Sequence, residues 1–423
     1  MTRITRLAIC ALAAGFAPPL AAQAQDVTVD QLVAIALERA PDLQVVRTEV
    51  AAAAGQVTQA GLRPNPMVTA GHERGPGGMA ITTADVDWPL DLFRRPARIA
   101  AARSAAGVTS LAVRDRERLL ASEVREQAGR LLAARRTLEV TNEALTTARR
   151  MRDLLDRRVT EGGSTRLDAN LAGVEALRLE ADAVVTAGEV DAATIELKAL
   201  VGLPPDAPLA LRDSLEVFVR TQAVPRLTPA AAMEARSDLR DAIARIGLAD
   251  ARAEEVRRDA RSDVTLVGGL ARTRWGFPQL GLSPQGTPVP IHDTFYTVTL
   301  GARVTLPFLD RKQGVLASVQ AERDGAEALF TARQRAARAE IDAAVTRERE
   351  AQRAVELYGT NVRDLARQNV EVILEGYDLG RFPLTNLLAE QRRYLEIEAA
   401  YTEALSRAYD ARAAVSRAFG EIP

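Results

Sequence analysis

Residues Val304 to Gly314 read VTLPFLDRKQG, and Val86 to Pro96 read VDWPLDLFRRP. Each phrase ends an alternating run, stops at a proline, and continues through Leu, Asp and Arg into a long segment without proline. Upstream of Pro89, Ala80, Thr82, Ala84, Val86 and Trp88 share one face of an extended chain, with Thr83, Asp85 and Asp87 on the other. Upstream of Pro307, Tyr296, Val298, Leu300, Ala302, Val304 and Leu306 alternate with Thr297, Thr299, Arg303 and Thr305. A period of two over this length predicts strands with one apolar and one polar face. Weaker alternation in Val264 to Leu270 and Met67 to Glu73 supplies partners. The count is four strands in two hairpins, at about 66–88 and about 263–306.

Downstream of each phrase the period changes. No proline occurs between Pro96 and Pro204, or between Pro307 and Pro383, so each gap can hold a very long helix. Val124, Leu131, Leu138 and Leu145 recur every seventh residue in the first gap, and Ala337, Ala344, Ala351, Tyr358, Leu365 and Val372 in the second. Sustained heptads predict coiled-coil-like packing. A helix from Arg95 to Thr160 would be about 100 Å long at 1.5 Å per residue. Glycines end both rods, at Gly162-Gly163 and at Gly376 and Gly380, and a second helical run follows each. The chain is expected to go out along a rod and return.

The two halves repeat one another. Ala36 to Leu43 aligns with Ala232 to Leu239, and Val68-Thr69 with Val264-Thr265. Beyond the hairpins the offset grows by about 22 residues, which one insertion around RWGFPQLGLSPQGTPVPIHD (Arg274 to Asp293) explains. This gives an internal duplication: a first repeat at 25–202, a linker at 203–227 and a second repeat at 228–423, with helical hairpins at about 95–202 and about 312–420. Thr28 with Gln31 reads as a capping box, and Thr228-Pro229 as an N-cap followed by proline at the first helical position. Two hairpins cannot close a sheet, so their edges must pair with another copy. The expected fold is mainly α with a membrane β-barrel built by several chains, apolar face to lipid and Thr/Asp/Arg face to a wet lumen.

The remaining features limit the function. Arg3 and Arg6 precede an apolar run leading to Ala22-Gln23-Ala24, which predicts a signal peptide over 1–24 and export of the mature chain. Cys10, the single cysteine, lies inside that segment after Ile9 rather than a small residue, which disfavours lipidation there and leaves no disulfide in the mature chain. Net charge is −1, with 55 basic residues interleaved among 56 acids and only Lys198 and Lys312 as lysines, so no nucleic-acid partner is indicated. His72 and His292 are the only histidines, too few for a metal centre without thiolates. No nucleophile elbow or phosphate-cradling loop occurs. The expectation is a protein that is not an enzyme and holds no cofactor and no metal.

On these features the chain resembles the TolC-like outer membrane efflux proteins over essentially its whole mature length. The resemblance rests on the duplication, AGLRPNP (Ala60 to Pro66), WPLDLFRR and LPFLDRK, and the turns GGSTRLD (Gly162 to Asp168) and GRFPLTNLL (Gly380 to Leu388). It implies long helices forming an α-barrel and a homotrimer whose hairpins form one twelve-stranded outer-membrane barrel, in contact with lipid. It also implies a Gram-negative periplasmic extension reaching a periplasmic adaptor (membrane fusion protein) and an inner-membrane pump of the resistance-nodulation-division type. The adaptor-facing tip would comprise Gly163, Ser164, Thr165, Arg166, Leu167, Asp168, Gly380, Arg381, Phe382, Pro383, Leu384 and Thr385. The family's acidic tunnel gate falls on Asn386 and Ala389 with Glu390 adjacent, a departure from its pattern. Asp85, Asp87 and Arg303 would face the barrel lumen. RPNP and Phe93-Arg94-Arg95 are similar to the cobalt-zinc-cadmium efflux branch, which leans toward metal, and the resemblance as a whole implies a cargo of metal cations or small drugs. A duct for type I protein secretion shares every feature, and a soluble periplasmic coiled-coil scaffold shares the rods.

Overall fold

A computed structural model of the chain describes residues 26–221 and 228–420. The expected signal peptide and Cys10 lie outside the described residues, as does part of the linker. In the first half, β1 (Asp26–Val27), α1 (Val29–Arg39) and α2 (Pro41–Ala60) lead to β2 (Met67–Arg74) and β3 (Ala80–Pro89). The long α3 (Arg95–Thr160) then returns as α4 (Arg166–Val201). After β4 (Ala210–Leu211) and α5 (Leu215–Thr221), the order recurs: α6 (Pro229–Ala235), α7 (Ser237–Asp259), β5 (Asp263–Leu282), β6 (Pro288–Thr305), α8 (Gln313–Leu357), α9 (Arg363–Asp378) and α10 (Leu384–Ala418). A π turn at Tyr358–Val362 joins α8 to α9 without breaking the rod.

Local chemistry explains the helix starts. Thr28 Oγ1 accepts from the Gln31 backbone N–H at 3.3 Å while Gln31 Oε1 accepts from the Thr28 N–H at 2.9 Å, which is the expected capping box. Thr228 Oγ1 accepts from the Ala231 N–H at 3.3 Å, with Pro229 entering the first turn. Each return helix ends in a left-handed glycine, Gly202 after α4 and Gly420 after α10. A Cβ on Gly202 would come within 2.9 Å of the Arg39 carbonyl, and one on Gly420 within 3.5 Å of Arg236. The end of each hairpin therefore seats on the break between the two helices that open its own half.

The four long strands form one antiparallel sheet in the order β2-β3-β5-β6, so β2 and β6 each pair on one side only. Val86 lies between Val68 and Gly268, and Gly268 opposite Leu300, which aligns the alternation of all four strands. Val68, Val86, Trp88, Leu266, Leu270, Val298 and Leu300 are exposed. No described helix is long and apolar enough to cross a membrane. The second hairpin outreaches the first: β3 pairs with β5 only as far as Arg274, and β5 and β6 continue to Leu282 and Pro288. The insertion inferred from the shifted offset is thus strand rather than loop.

The main core surrounds Leu32, Leu43, Leu120, Val124, Leu131, Leu197, Leu405 and Tyr409. The described part of the 203–227 stretch is not a bare linker. Leu211, Leu215, Phe218 and Val219 are buried in this core, the Phe218 and Tyr409 rings lie 4.2 Å apart, and β4 pairs in parallel with β1. Two-residue strands carry no readable period, and α5 is held by a partner almost two hundred residues away; local sequence could not announce either.

At the first strand-to-helix joint, Asp91 takes a left-handed backbone, and its buried carboxylate accepts from Arg98 at 2.8 Å. Arg98 also donates to the Ala60 and Leu62 carbonyls at 2.9 and 2.8 Å, and Arg95 to the Gly61 carbonyl at 2.7 Å. These arginines satisfy carbonyls that the end of α2 leaves unpaired. Arg98→Ala is expected to cost about 3 kcal/mol by leaving Asp91 charged and unpaired. A lowered urea midpoint checks this; an unchanged midpoint rejects it.

Candidate functional site at the helical tip and the sheet face

The two helical turns lie at one end of the molecule. Leu155, Ala169, Ala172, Leu384, Leu387 and Leu388 make a small core there, with Ile373 and Tyr377 packed against it. Arg158 reaches Asp378 at 3.6 Å, tying the end of α3 to the end of α9. Burial, reinforced by the nearby Asp168 carboxylate, pushes the Tyr377 phenol up from its ordinary value.

The turns differ in construction. In the first, Gly162 is left-handed and the Gly163 N–H donates to the Arg158 carbonyl at 2.7 Å. Thr165 then caps α4: the Asp168 N–H donates to Thr165 Oγ1 at 3.1 Å, and Thr165 Oγ1 donates to Asp168 Oδ2 at 2.6 Å. Ser164 Oγ adds a bond to the same oxygen at 3.4 Å. In the second, Gly380 is left-handed, the Arg381 N–H donates to the Gly376 carbonyl at 2.8 Å, and the Phe382 ring covers Gly376 so closely that any Cβ would overlap it. Pro383 precedes α10 as its N-cap residue.

The expected tip residues are brought together, but they divide by role. Ser164, Thr165 and Asp168 spend their polar atoms on the turn itself. Leu384 is a correction: it is buried in the tip core, so its side chain is withheld from the surface. Gly163, Arg166, Leu167, Gly380, Arg381, Phe382, Pro383 and Thr385 are exposed. Sequence reading missed Leu379, exposed beside Gly380, and the Arg158–Asp378 pair. The heptad running from Leu365 through Val372 reaches Leu379 and could have flagged it.

Asn386, Ala389 and Glu390 share one face of α10, turned away from Leu384, Leu387 and Leu388. Asn386 and Ala389 are exposed, whereas Glu390 is half-buried and lies 3.6 Å from Arg393. On the sheet, Asp85, Asp87 and Arg303 stand on the face opposite Val86 and Trp88, and Arg303 crosses β5 to reach Asp87 at 2.9 Å. Gly269 lies directly beneath Asp85, where a larger residue would collide with the carboxylate. The histidines stand apart from this polar row: His72 bonds Thr82 Oγ1 at 2.9 Å, and His292 packs against Gly78. Among the described residues no group of three or more His, Cys, Asp or Glu side chains could hold a metal.

Farther from the tip, Glu175 on α4 accepts from Arg178 at 2.7 Å and from Arg392 on α10 at 2.8 Å. Burial alone would raise its pKa, but hydrogen bonds from Arg178 and Arg392 outweigh it and hold the carboxyl below its ordinary value.

A four-stranded sheet with one apolar exposed face, continuous with a helical hairpin about 100 Å long, is a fold this chain shares with solved outer-membrane channels. Among solved structures, the CusC channel superposes with a TM-score of 0.75 at 16% identity, over 93% of this chain and 92% of that one. The open state of the Neisseria gonorrhoeae MtrE channel gives 0.74 at 17%, over 93% and 88%. VceC from Vibrio cholerae gives 0.72 at 19%, over 93% and 96%. Residues 32–203 match the family described as Outer membrane efflux protein. No curated protein matches the chain in sequence.

Because the folded-state pKa of Glu175 is depressed, its contribution to stability is present above the ordinary glutamate value and is lost as pH falls through the folded one. Urea midpoints measured from pH 7 down to pH 3 are expected to fall more steeply in the native chain than in Glu175→Gln. Parallel curves would remove Glu175 from the acid response.

Proposed function

We propose that the chain is the outer-membrane exit duct of a tripartite efflux system, a passive conduit to the exterior. The observation that carries this reading is the two-faced sheet with open edges at β2 and β6, joined directly to the rods. An open edge in hydrocarbon leaves backbone groups unpaired, at several kcal/mol each. A homotrimer pairs β6 of each copy with β2 of the next and closes twelve strands into one barrel. Val86, Trp88, Val298 and Leu300 then meet lipid, and Asp85, Asp87 and Arg303 line the lumen. The same element order in both halves supports the reading of an internal duplication.

At the other end, the exposed Arg166, Arg381 and Phe382 are the surface offered to a periplasmic adaptor, beneath an inner-membrane pump of the resistance-nodulation-division type. Asn386, Ala389 and Glu390 line the constriction. A soluble scaffold has no use for the exposed apolar strand face. RPNP and Phe93-Arg94-Arg95 lean toward the cobalt-zinc-cadmium branch, which favours metal cations over small drugs as cargo.

Three measurements test this reading. The protein extracted from outer membranes is expected to open stable channels in planar bilayers; recovery in the soluble periplasmic fraction overturns the duct. Asn386→Ala and Glu390→Ala are expected to change conductance or cation selectivity, and unchanged values in both would remove them from the constriction. A deletion strain is expected to become sensitive to divalent metals, whereas sensitivity to dyes and antibiotics alone overturns the metal assignment.

A further inference from the structure

The charges on the sheet are sorted by face. The paired register and the alternation of each strand put Glu73, Asp85, Asp87, Asp263 and Asp293 on one side, where Arg303 finds Asp87 at 2.9 Å. The opposite side carries Val86, Trp88, Val298 and Leu300, and among the described residues it holds no acid. Its charged groups are Arg74, Arg272 and Arg274, with His72 and His292 beside them. On β3, which is paired along both edges, Thr82, Ala84, Val86 and Trp88 of this side are exposed, whereas Ile81, Thr83, Asp85 and Asp87 are half-buried. The basic groups stand on the more exposed wall, the one that the barrel reading turns to lipid.

Their height is as defined as their face. In register, Ala70, Ala84, Leu270 and Val298 form the last wholly apolar row. His72, Thr82, Arg272 and Tyr296 form the next, and Arg74, Ala80, Arg274 and Thr294 the one beyond. From Leu306 to Tyr296 the face runs about 33 Å along the strand, or about 25 Å in height at a barrel tilt of about 40°. That is the apolar band of an outer-membrane barrel. The arginine rows therefore lie at its far edge, away from the rods, at the level of lipid heads.

The guanidiniums there lack partners in the chain. Among the described residues Arg272 and Arg274 make no side-chain hydrogen bond or ion pair, and Arg74 donates only from Nε, to His72 Nε2 at 3.3 Å. His72 Nδ1 then donates to Thr82 Oγ1 at 2.9 Å. Arg74 and Arg274 share a row two strand spacings apart, about 10 Å, with only Ala80 between them. Arg272 follows about 7 Å along β5, separated from His72 by Thr82. Small residues thus floor a shallow depression rimmed by three guanidiniums, each able to present paired N–H groups to a phosphate.

We propose that this depression binds the phosphate of a lipid head in the outward leaflet, held by Arg74, Arg272 and Arg274 while the acyl chains run down over Leu270, Val298 and Leu300. This rests on the barrel reading above and deepens it by assigning one lipid chemistry to one place on the wall. Charge complementarity names the occupant. Three unpaired cations at the edge of a hydrocarbon band, with the acids of the strands turned to the other face, match an anionic head anchored by an apolar tail.

Native mass spectrometry of the protein extracted in detergent and freed of lipid tests this, with bisphosphorylated lipid A, the same lipid without its phosphates, and inorganic phosphate as probes. The phosphorylated lipid is expected to be retained and the dephosphorylated one about tenfold less; equal retention overturns the phosphate assignment. Displacement of the lipid by inorganic phosphate overturns the lipid in favour of a free anion. Arg272→Gln with Arg274→Gln is expected to lower retention about tenfold, and unchanged retention overturns these residues. Arg272→Thr with Thr273→Arg keeps the composition and moves one guanidinium through the sheet; it is expected to weaken retention about fivefold, and native retention overturns a site in favour of diffuse charge. Should a double variant fail to assemble, Arg74→Gln is expected to weaken retention about fivefold, and an unchanged value counts against the site. Channels in planar bilayers with no preference for the phosphorylated lipid overturn this inference and leave the duct standing, whereas absence of channels overturns the duct.

Discussion

The rest of the structure depends on the unpaired hydrogen-bonding edges of the four-stranded sheet. Backbone donors and acceptors that water would satisfy have no substitute in hydrocarbon. A strand set whose exposed face is apolar therefore has to close on itself, and four strands are too few to do so. In the proposed trimer, closure by neighbouring copies would bring the rods side by side as well, since each strand hairpin continues into a long helix through a proline-ended joint. Pro89 is the last residue of β3 and Pro307 follows β6 by two residues, and the arginines at the first joint take up the carbonyls that the preceding helix leaves open.

The rods have a different constraint. A heptad repeat gives a helix one apolar stripe, but in the proposed trimer a helix at the edge of a layer would need two, one for its own chain and one for the next. In α4 these are opposite sides of one regular helix. In the second rod the seven-residue register is buried at Ala337 and Ala344 and exposed at Leu365 and Val372. Just beyond the π turn, Arg363 is held against α10 by Glu398 and the Tyr401 ring.

Much of this was legible from periods and punctuation. The strand faces, the 66-residue helix, both capping signals and the two glycine turns lie where alternation, proline gaps and cap residues place them. What was not legible depended on partners distant in sequence. The pairing of β1 with β4, the burial of α5 against Tyr409 and the withdrawal of Leu384 into the tip core each arise from contacts made only after folding. The heptad through Leu365 and Val372 was visible, but not that it leaves the core. A period shows which residues share a face and is silent about what the face meets.

The sequence by itself determined the elements and their order, because hydrophobic period, proline and glycine act within a few residues of where they stand. Only the tertiary structure decided which apolar faces are buried inside the chain and which stay exposed. Burial is a property of surfaces brought together from distant parts of the chain, as Leu384 and Phe218 show.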